Sequence, residues 1–125
     1  MLRIARTDDV LDLGCGTGHL AQEVRVLTDG RVVGIDLSPE MIEMARGAAP
    51  PDVEFLTAAA EDLDMPETFD AIICNSAFQW FTDVPGALAN CFAALRHGGR
   101  MALQAPAHRE YCPQFLRAVR MLAGD

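Results

Sequence analysis

Val10-Leu11-Asp12-Leu13-Gly14-Cys15-Gly16-Thr17-Gly18 decides how the rest of the chain is read. Its apolar start is nonpolar on both faces except at Asp12, the pattern of a strand buried on both sides. The glycines at alternate positions then give a tight turn that admits a ligand close to the backbone. After Gly18, the residues Leu20, Ala21, Val24 and Leu27 recur at helical spacing and mark the buried side of a helix. Strand, glycine turn and helix, in that order, form a nucleotide-binding arrangement.

Outward from this stretch the alternation repeats. Residues 1–6 read as the tail of a helix and Thr7-Asp8-Asp9 as a turn into the first strand. Thr28-Asp29-Gly30 is a turn, and residues 31–36 are a second strand that ends in an acid. Ser38-Pro39-Glu40 opens the next helix, with Ser as cap, Pro at the first helical position and Glu at the positive dipole end. Met41, Ile42 and Ala45 give it a buried side, and Pro50-Pro51 stops it. Residues 53–57 are a third strand, with Val53, Phe55 and Thr57 on one face, and residues 58–63 a short turn or helix. Residues 69–74 are a fourth, buried strand, followed by a loop over 75–83 that carries Phe78, Trp80 and Phe81. Pro85 starts a helix with Leu88, Cys91, Phe92 and Leu95 at helical spacing, closed by His97-Gly98-Gly99. Residues 100–105 are a fifth strand, and Pro113 opens a last helix that buries Phe115, Leu116, Val119 and Leu122. Alternating strands and helices give a parallel sheet with helices on both faces, and residues 1–125 read as one domain.

Half of the residues are hydrophobic, yet no apolar run reaches the length of a membrane span, and the first six residues lack the apolar core of a signal peptide. The formal net charge of -8 weighs against nucleic-acid binding, where phosphate neutralisation supplies most of the affinity, and favours a small-molecule or protein partner. Cys15, Cys74, Cys91 and Cys112 are scattered, and no pair has metal or redox spacing. No metal site is expected, Cys74 and Cys91 read as small core residues, and the cysteine usage suits a reducing cytoplasm.

In an open parallel sheet, ligands bind outside the carboxyl ends of the strands, near the point where strand order reverses. The polar residues collect there: residues 14–18 after the first strand, Asp36 at the end of the second, Glu61 and Asp62 after the third, Asn75 after the fourth. Loops are polar anyway, which explains each residue singly but not their joint placement. Asp36 can accept hydrogen bonds from both hydroxyls of a ribose, at about 1.5–3 kcal/mol for each bond to a charged group; the competing reading is a cap for the helix that begins near Ser38. The spacing G-x-G-x-G through Gly14, Gly16 and Gly18 differs from the G-x-G-x-x-G of dinucleotide-binding domains.

Asp12-Leu13-Gly14-Cys15-Gly16-Thr17-Gly18 resembles the first motif of the class I S-adenosylmethionine-dependent methyltransferases. Asp36 matches the acid that holds the ribose in that family, and Ala60-Glu61-Asp62 is similar to the segment beside the adenine, where Asp62 would bond the exocyclic amine. Phe69-Asp70 through Asn75 resembles the fourth-strand motif, and Leu95-Arg96-His97-Gly98-Gly99 the turn before the fifth strand. Gln79-Trp80-Phe81 and Leu103-Gln104-Ala105-Pro106 look most like the carboxyl methyltransferases of small acids, such as the trans-aconitate and malonyl-carrier-protein enzymes.

The resemblance implies an α/β fold, a Rossmann-like three-layer αβα sandwich with a parallel sheet in the order 3-2-1-4-5. It implies S-adenosylmethionine as cofactor, held by Asp12, Gly14, Cys15, Gly16, Thr17, Gly18, Asp36, Leu37, Met41, Ala60, Glu61, Asp62, Asn75, Ala77 and Trp80. It implies transfer of a methyl group to a small-molecule acceptor, a carboxylate or hydroxyl, by in-line displacement. A carboxylate needs no general base; an alcohol or amine would, and His108 is the histidine placed for it. Family members continue past the helix at Pro113 with two further strands and begin with a helix over the acceptor, so this chain reads as a fragment truncated before those strands. Its fifth strand would then be an unpaired edge, suited to a homodimer. A dehydrogenase domain binding NAD and a non-catalytic methyltransferase-like interaction module are the alternatives.

The remaining polar residues have plainer readings. Trp80 lines the methionine end of the cofactor or anchors its loop. His19 is solvated, His97 meets exposed helix carbonyls, Cys15 makes a backbone contact, and Arg109 is a surface residue or pairs an acidic substrate. Asp64, Glu67 and Asp83 are solvated loop charges.

Overall fold

A computed structural model describes residues 3–75 and 81–104. In chain order the elements are β1 (Val10–Leu13), α1 (His19–Leu27), β2 (Val32–Asp36), α2 (Pro39–Ala48), β3 (Val53–Thr57), a 3-10 turn (Ala60–Asp62), β4 (Phe69–Asn75), α3 (Val84–Ala94) and β5 (Leu95–Gln104). The five strands form one sheet in the order β3-β2-β1-β4-β5, and every pairing is parallel. The alternation of elements therefore produces the three-layer arrangement that the sequence implies. Among the described residues no helix is long and apolar enough to cross a membrane.

Strand alternation sorts the core into two halves. Val10, Val32, Val53, Phe55 and Ala71 pack with Ala21 and Val24 of α1 and Ile42 and Ala45 of α2 on one face. Leu11, Leu13, Val33, Ile35, Phe69, Ile72 and Cys74 pack with Ala87, Cys91 and Ala94 of α3 and with Ala60 and Leu63 on the other. Where both faces are covered, in β1, β2 and β4, the strands carry largely apolar runs, as parallel strands do. Ser38 caps α2 by accepting the Met41 N–H at 3.3 Å.

Several local expectations are corrected. Residues 3–5 are not helical: the Asp8 carboxylate accepts the Ala5 N–H at 2.7 Å and the Ala5 carbonyl accepts the Asp8 N–H at 3.0 Å, a local turn that competes with a helix. Leu27 is exposed, because the next inward position after Ala21 and Val24 falls to Thr28. Thr28 is buried, with its hydroxyl donating to the Asp8 and Arg6 carbonyls at 2.6 and 3.1 Å. Met41 is not buried on α2 but 40% exposed. On α3 the inward stripe is Ala87, Leu88, Cys91 and Ala94, which leaves Phe92 exposed and Leu95 outside the helix.

His97-Gly98-Gly99 does not close α3 either. The helix ends at Ala94, and β5 pairs with β4 as Phe69 with Leu95 and then Ala71 with Arg100. The residues between Leu95 and Arg100 are therefore a bulge at the start of β5, where Gly98 takes a left-handed φ of 82°. Asp83 is not a simple loop charge: its carboxylate accepts the Gly86 N–H at 3.0 Å and caps α3. The expected helix after Pro113, with Phe78, Cys112, His108 and Arg109, lies outside the described residues.

Candidate functional site

Register brings the ends of three strands to one level. Leu13 pairs with Ile35 on one side and with Cys74 on the other. The next residues, Gly14, Asp36 and Asn75, therefore leave β1, β2 and β4 side by side. β1 is also where strand order reverses, and the two crossovers diverging from it leave a crevice at this edge.

The glycine loop is fastened to the end of β2. Gly14, Gly16 and Gly18 have φ of 72°, 55° and 85°, left-handed values that side chains disfavour. The N–H groups of Gly14 and Cys15 both donate to the Ile35 carbonyl at 2.8 Å. The Gly16 N–H donates to Asp36 Oδ2 at 2.9 Å, and the Ser38 N–H donates to Asp36 Oδ1 at 3.0 Å. Asp36 thus ties the loop to the start of α2. Gly18 is also tightly packed: a Cβ there would lie 3.1 Å from both the Ala45 Cβ and the Phe55 ring.

Beside this loop lies a cleft of about 440 Å³, within the usual range for small-molecule sites. Leu13, Gly14 and Gly16 line it from the loop, Ile35, Asp36, Leu37 and Ser38 from the end of β2, and Met41 from α2. Ala58, Ala60 and Glu61 line it from beyond β3, and Phe81 from beyond β4. Of the residues expected from the sequence, Gly14, Gly16, Asp36, Leu37, Met41, Ala60 and Glu61 come together on this lining. Asp12, Cys15, Thr17 and Gly18 belong to the strand and loop but not to the lining, and Asp62 and Asn75 are exposed outside it. Ala77 and Trp80 lie outside the described residues. Ser38, Ala58 and Phe81 were not singled out for the site. Phe81 had a signal in the aromatic cluster after β4, whereas Ser38 and Ala58 had none beyond following strand ends.

Asp12 is the unusual charge. It is almost fully buried on the α1 side of β1, and burial pushes its carboxyl up to about 7, against a smaller opposing effect of the Ala21 backbone N–H and with the Asp36 charge adding to the rise. The Ala21 N–H belongs to the first turn of α1, whose N-cap residue Gly18 supplies no side-chain bond. Asp12 therefore serves that helix end from the neighbouring strand. Its Oδ2 has no hydrogen-bond partner among the described residues. Burial, with Asp12 and Asp36 adding to it, likewise pushes the Cys15 thiol up to about 12, so Cys15 is an inert part of the loop and no nucleophile.

The wall beyond β3 is held by a second set of bonds. Glu61 Oε2 accepts the Thr82 N–H at 2.7 Å, the Thr82 hydroxyl at 2.9 Å and the Asp83 N–H at 3.4 Å. Burial alone would raise the Glu61 carboxyl; these donors and its own backbone N–H outweigh it and hold the carboxyl below the usual range. From α3, Asn90 Nδ2 donates to the Ala60 carbonyl at 3.1 Å and to the Glu61 carbonyl at 2.7 Å.

The family model described as a methyltransferase domain matches residues 10–99. Among curated proteins, the malonyl-[acyl-carrier protein] O-methyltransferase of Acetivibrio thermocellus is 34% identical over 105 residues, which is 82% of this chain and 37% of that protein. The trans-aconitate 2-methyltransferase of Deinococcus radiodurans is 36% identical over 103 residues, 82% of this chain and 39% of that protein. The chain thus spans less than half the length of these relatives. Among solved structures, an S-adenosylmethionine dependent methyltransferase from Mesorhizobium loti superposes with a TM-score of 0.77 at 27% identity, covering 82% of this chain and 48% of that one.

Proposed function

The chain belongs to the methyltransferase-domain family, whose model spans residues 10–99, and from that premise we propose that its cleft holds S-adenosylmethionine and that the protein methylates a small-molecule acceptor. The observation that carries this reading is the shared lining of one cleft by Gly14 and Gly16 of the loop and by Asp36 at the end of β2. When bound, S-adenosylmethionine supplies a methyl group already activated on a sulfonium.

The residues present suit that ligand. The carboxylate of Asp36 is fixed by the Gly16 and Ser38 N–H groups and retains acceptor capacity for ribose hydroxyls. Leu37, Met41, Ala58 and Ala60 give apolar surface for a planar base and exclude water beside it. Asp12 lies off the lining, so its place among the cofactor-holding residues rests on the family resemblance alone. Cys15, Thr17 and Gly18 contribute as the remainder of the loop, and Asn75, Ala77 and Trp80 from the end of β4 onward. A bond from Asp62 to the adenine amine rests on the family resemblance alone.

A carboxylate is the favoured acceptor group. The support is that the two curated relatives are a malonyl-[acyl-carrier protein] O-methyltransferase and a trans-aconitate 2-methyltransferase. Such an acceptor needs no general base from the chain, so orientation and exclusion of water are what the site must provide. Buried thiols at Cys15, Cys74 and Cys91, outside any disulfide among the described residues, support a cytoplasmic setting, and the position of β5 at an edge of the described sheet supports pairing of two copies there.

Calorimetry with S-adenosylhomocysteine and with NAD tests the cofactor. Binding of the first and not the second is expected; the reverse would sink the reading. Incubation of the full-length protein with S-adenosylmethionine and small di- and tricarboxylic acids, read by mass spectrometry, tests the acceptor. Cofactor binding without methylation of any acceptor would instead favour a non-catalytic module.

A further inference from the structure

We propose that Glu61 is a positioning residue of the cleft: through Thr82 it fixes Phe81 as the cleft's aromatic wall, while Asn90 locks the turn from which Glu61 reaches. The inference deepens the cofactor assignment above and rests on it for its binding readout.

A carboxylate on the lining invites a direct contact with ligand, and the sequence leads to that expectation for Glu61. The structure turns the group elsewhere. All three bonds named above converge on one oxygen, Oε2, and all come from Thr82 and Asp83. Bonds to an ionised acceptor are roughly twice as strong as neutral ones, so this is a firm attachment for its exposure. The residue immediately before Thr82 is Phe81, which both lines the cleft and packs partly buried against the α3 side of the core.

The attachment is closed into a ring. Asp83 continues from Thr82 into the cap of α3 through the Gly86 N–H. Asn90, farther along α3, returns to the Ala60 and Glu61 carbonyls. The bonds thus join three pieces of chain, the 3-10 turn, segment 81–83 and α3. Two of these, through Ala60 and Phe81, are walls of the same cleft. Fixing one against the other sets the width available to a planar group. Neither the Glu61 carboxylate nor the Asn90 amide needs to touch the ligand to do this.

A double-mutant cycle separates positioning from direct contact. In the full chain, Glu61→Ala and Phe81→Ala are each expected to weaken S-adenosylhomocysteine binding about tenfold by calorimetry, the scale of losing one aromatic wall of the cleft. The double variant is expected to be no weaker than either single one. Glu61→Gln, which keeps an acceptor for the Thr82 N–H, and Thr82→Val, which removes only the hydroxyl, should each lose less. Additive losses would mean that Glu61 acts on the ligand itself and would overturn the proposal, as would unchanged affinity in Glu61→Ala.

Amide hydrogen exchange of Thr82 and Asp83 in ligand-free protein supplies a second readout, expected to accelerate in Glu61→Ala. Unchanged exchange overturns the brace whatever the ligand does. If the wild-type chain fails to bind S-adenosylhomocysteine, the cofactor assignment falls and with it the positioning role, while the exchange data still decide whether the brace exists. Should Glu61→Ala fail to fold, as judged by its thermal melt, Glu61→Gln and Thr82→Val carry both measurements.

Discussion

Asp36 makes two structural bonds before any ligand arrives, to the N–H groups of Gly16 and Ser38. The ribose and capping readings of this residue are therefore compatible: one carboxylate organises the loop and the start of α2, and its remaining lone pairs face a cleft. Asp36→Ala is expected to weaken S-adenosylhomocysteine binding about tenfold or more, because a charged acceptor and the anchor of the loop are lost together; unchanged affinity by calorimetry refutes the ribose role. Asp12 gives a pH signature. Its folded-state pKa of about 7 lies above the ordinary 3.8, so the folded chain holds the proton more tightly than the unfolded one. The ligand-free protein should then lose stability as pH rises from about 4 through about 7, by up to ~1.4 kcal/mol for each pH unit. Asp12→Asn should flatten that slope between pH 5 and pH 8 in denaturant titrations. A slope that persists in the variant assigns the effect to another group.

At the scale of elements, the helix starts are fastened in three different ways. α2 uses its own Ser38, α3 uses Asp83, and α1 borrows Asp12 from β1. The Ser-Pro-Glu signature made the first legible. The second was hidden because Asp83 precedes Val84 and Pro85 in a stretch that reads as loop, and the third because the donor and acceptor belong to different elements. Asp83→Ala is expected to cost ~1 kcal/mol of stability, read as a lower denaturant midpoint. Gly86→Ala should cost less, since a Cβ there would lie 2.2 Å from Asp83 Oδ2 and displace the capping carboxylate, while alanine's better helix propensity offsets part of the loss. An Asp83→Ala variant as stable as wild type would mean that the cap contributes nothing.

Across the whole molecule, the two ends of the sheet have different jobs. The carboxyl ends of the strands carry the cleft, and the amino ends carry a charge network. Arg96 Nη1 lies 2.9 Å from both Asp9 Oδ2 and Asp70 Oδ2, joining the starts of β5, β1 and β4. Asp70 Oδ2 also accepts the Asp9 N–H at 2.8 Å, and Arg100 pairs with Asp8. Burial alone would raise the Asp9 carboxyl, but the Arg31 N–H and the Arg96 guanidinium outweigh it and hold it below 3.8. A depressed carboxyl stabilises the fold above its unfolded pKa and loses that contribution as pH falls through the folded value. Arg96→Ala should therefore move the midpoint of acid unfolding, followed by circular dichroism, to higher pH. An unmoved midpoint would show that the network does not hold the sheet together in acid.

The sequence by itself determined the element order, the parallel sheet and the residues at its carboxyl edge. Each of these depends on local patterns: apolar runs, helical periodicity, glycine spacing and polar residues at strand ends. Its errors fall where an inward position was taken by a polar residue, as with Thr28 after Val24, or where a strand took up extra residues, as with the bulge at Gly98. Tertiary structure alone decided which way side chains turn. Glu61 lies on the cleft lining, where its place after β3 puts it, and its carboxylate accepts from Thr82, a partner 21 residues away. Asp12 was assigned from its motif, yet its burial and its bond to α1 depend on how that helix lies against β1. A hydrogen bond joining distant segments leaves no periodic trace in either of them, so it becomes visible only when the sheet has brought them together.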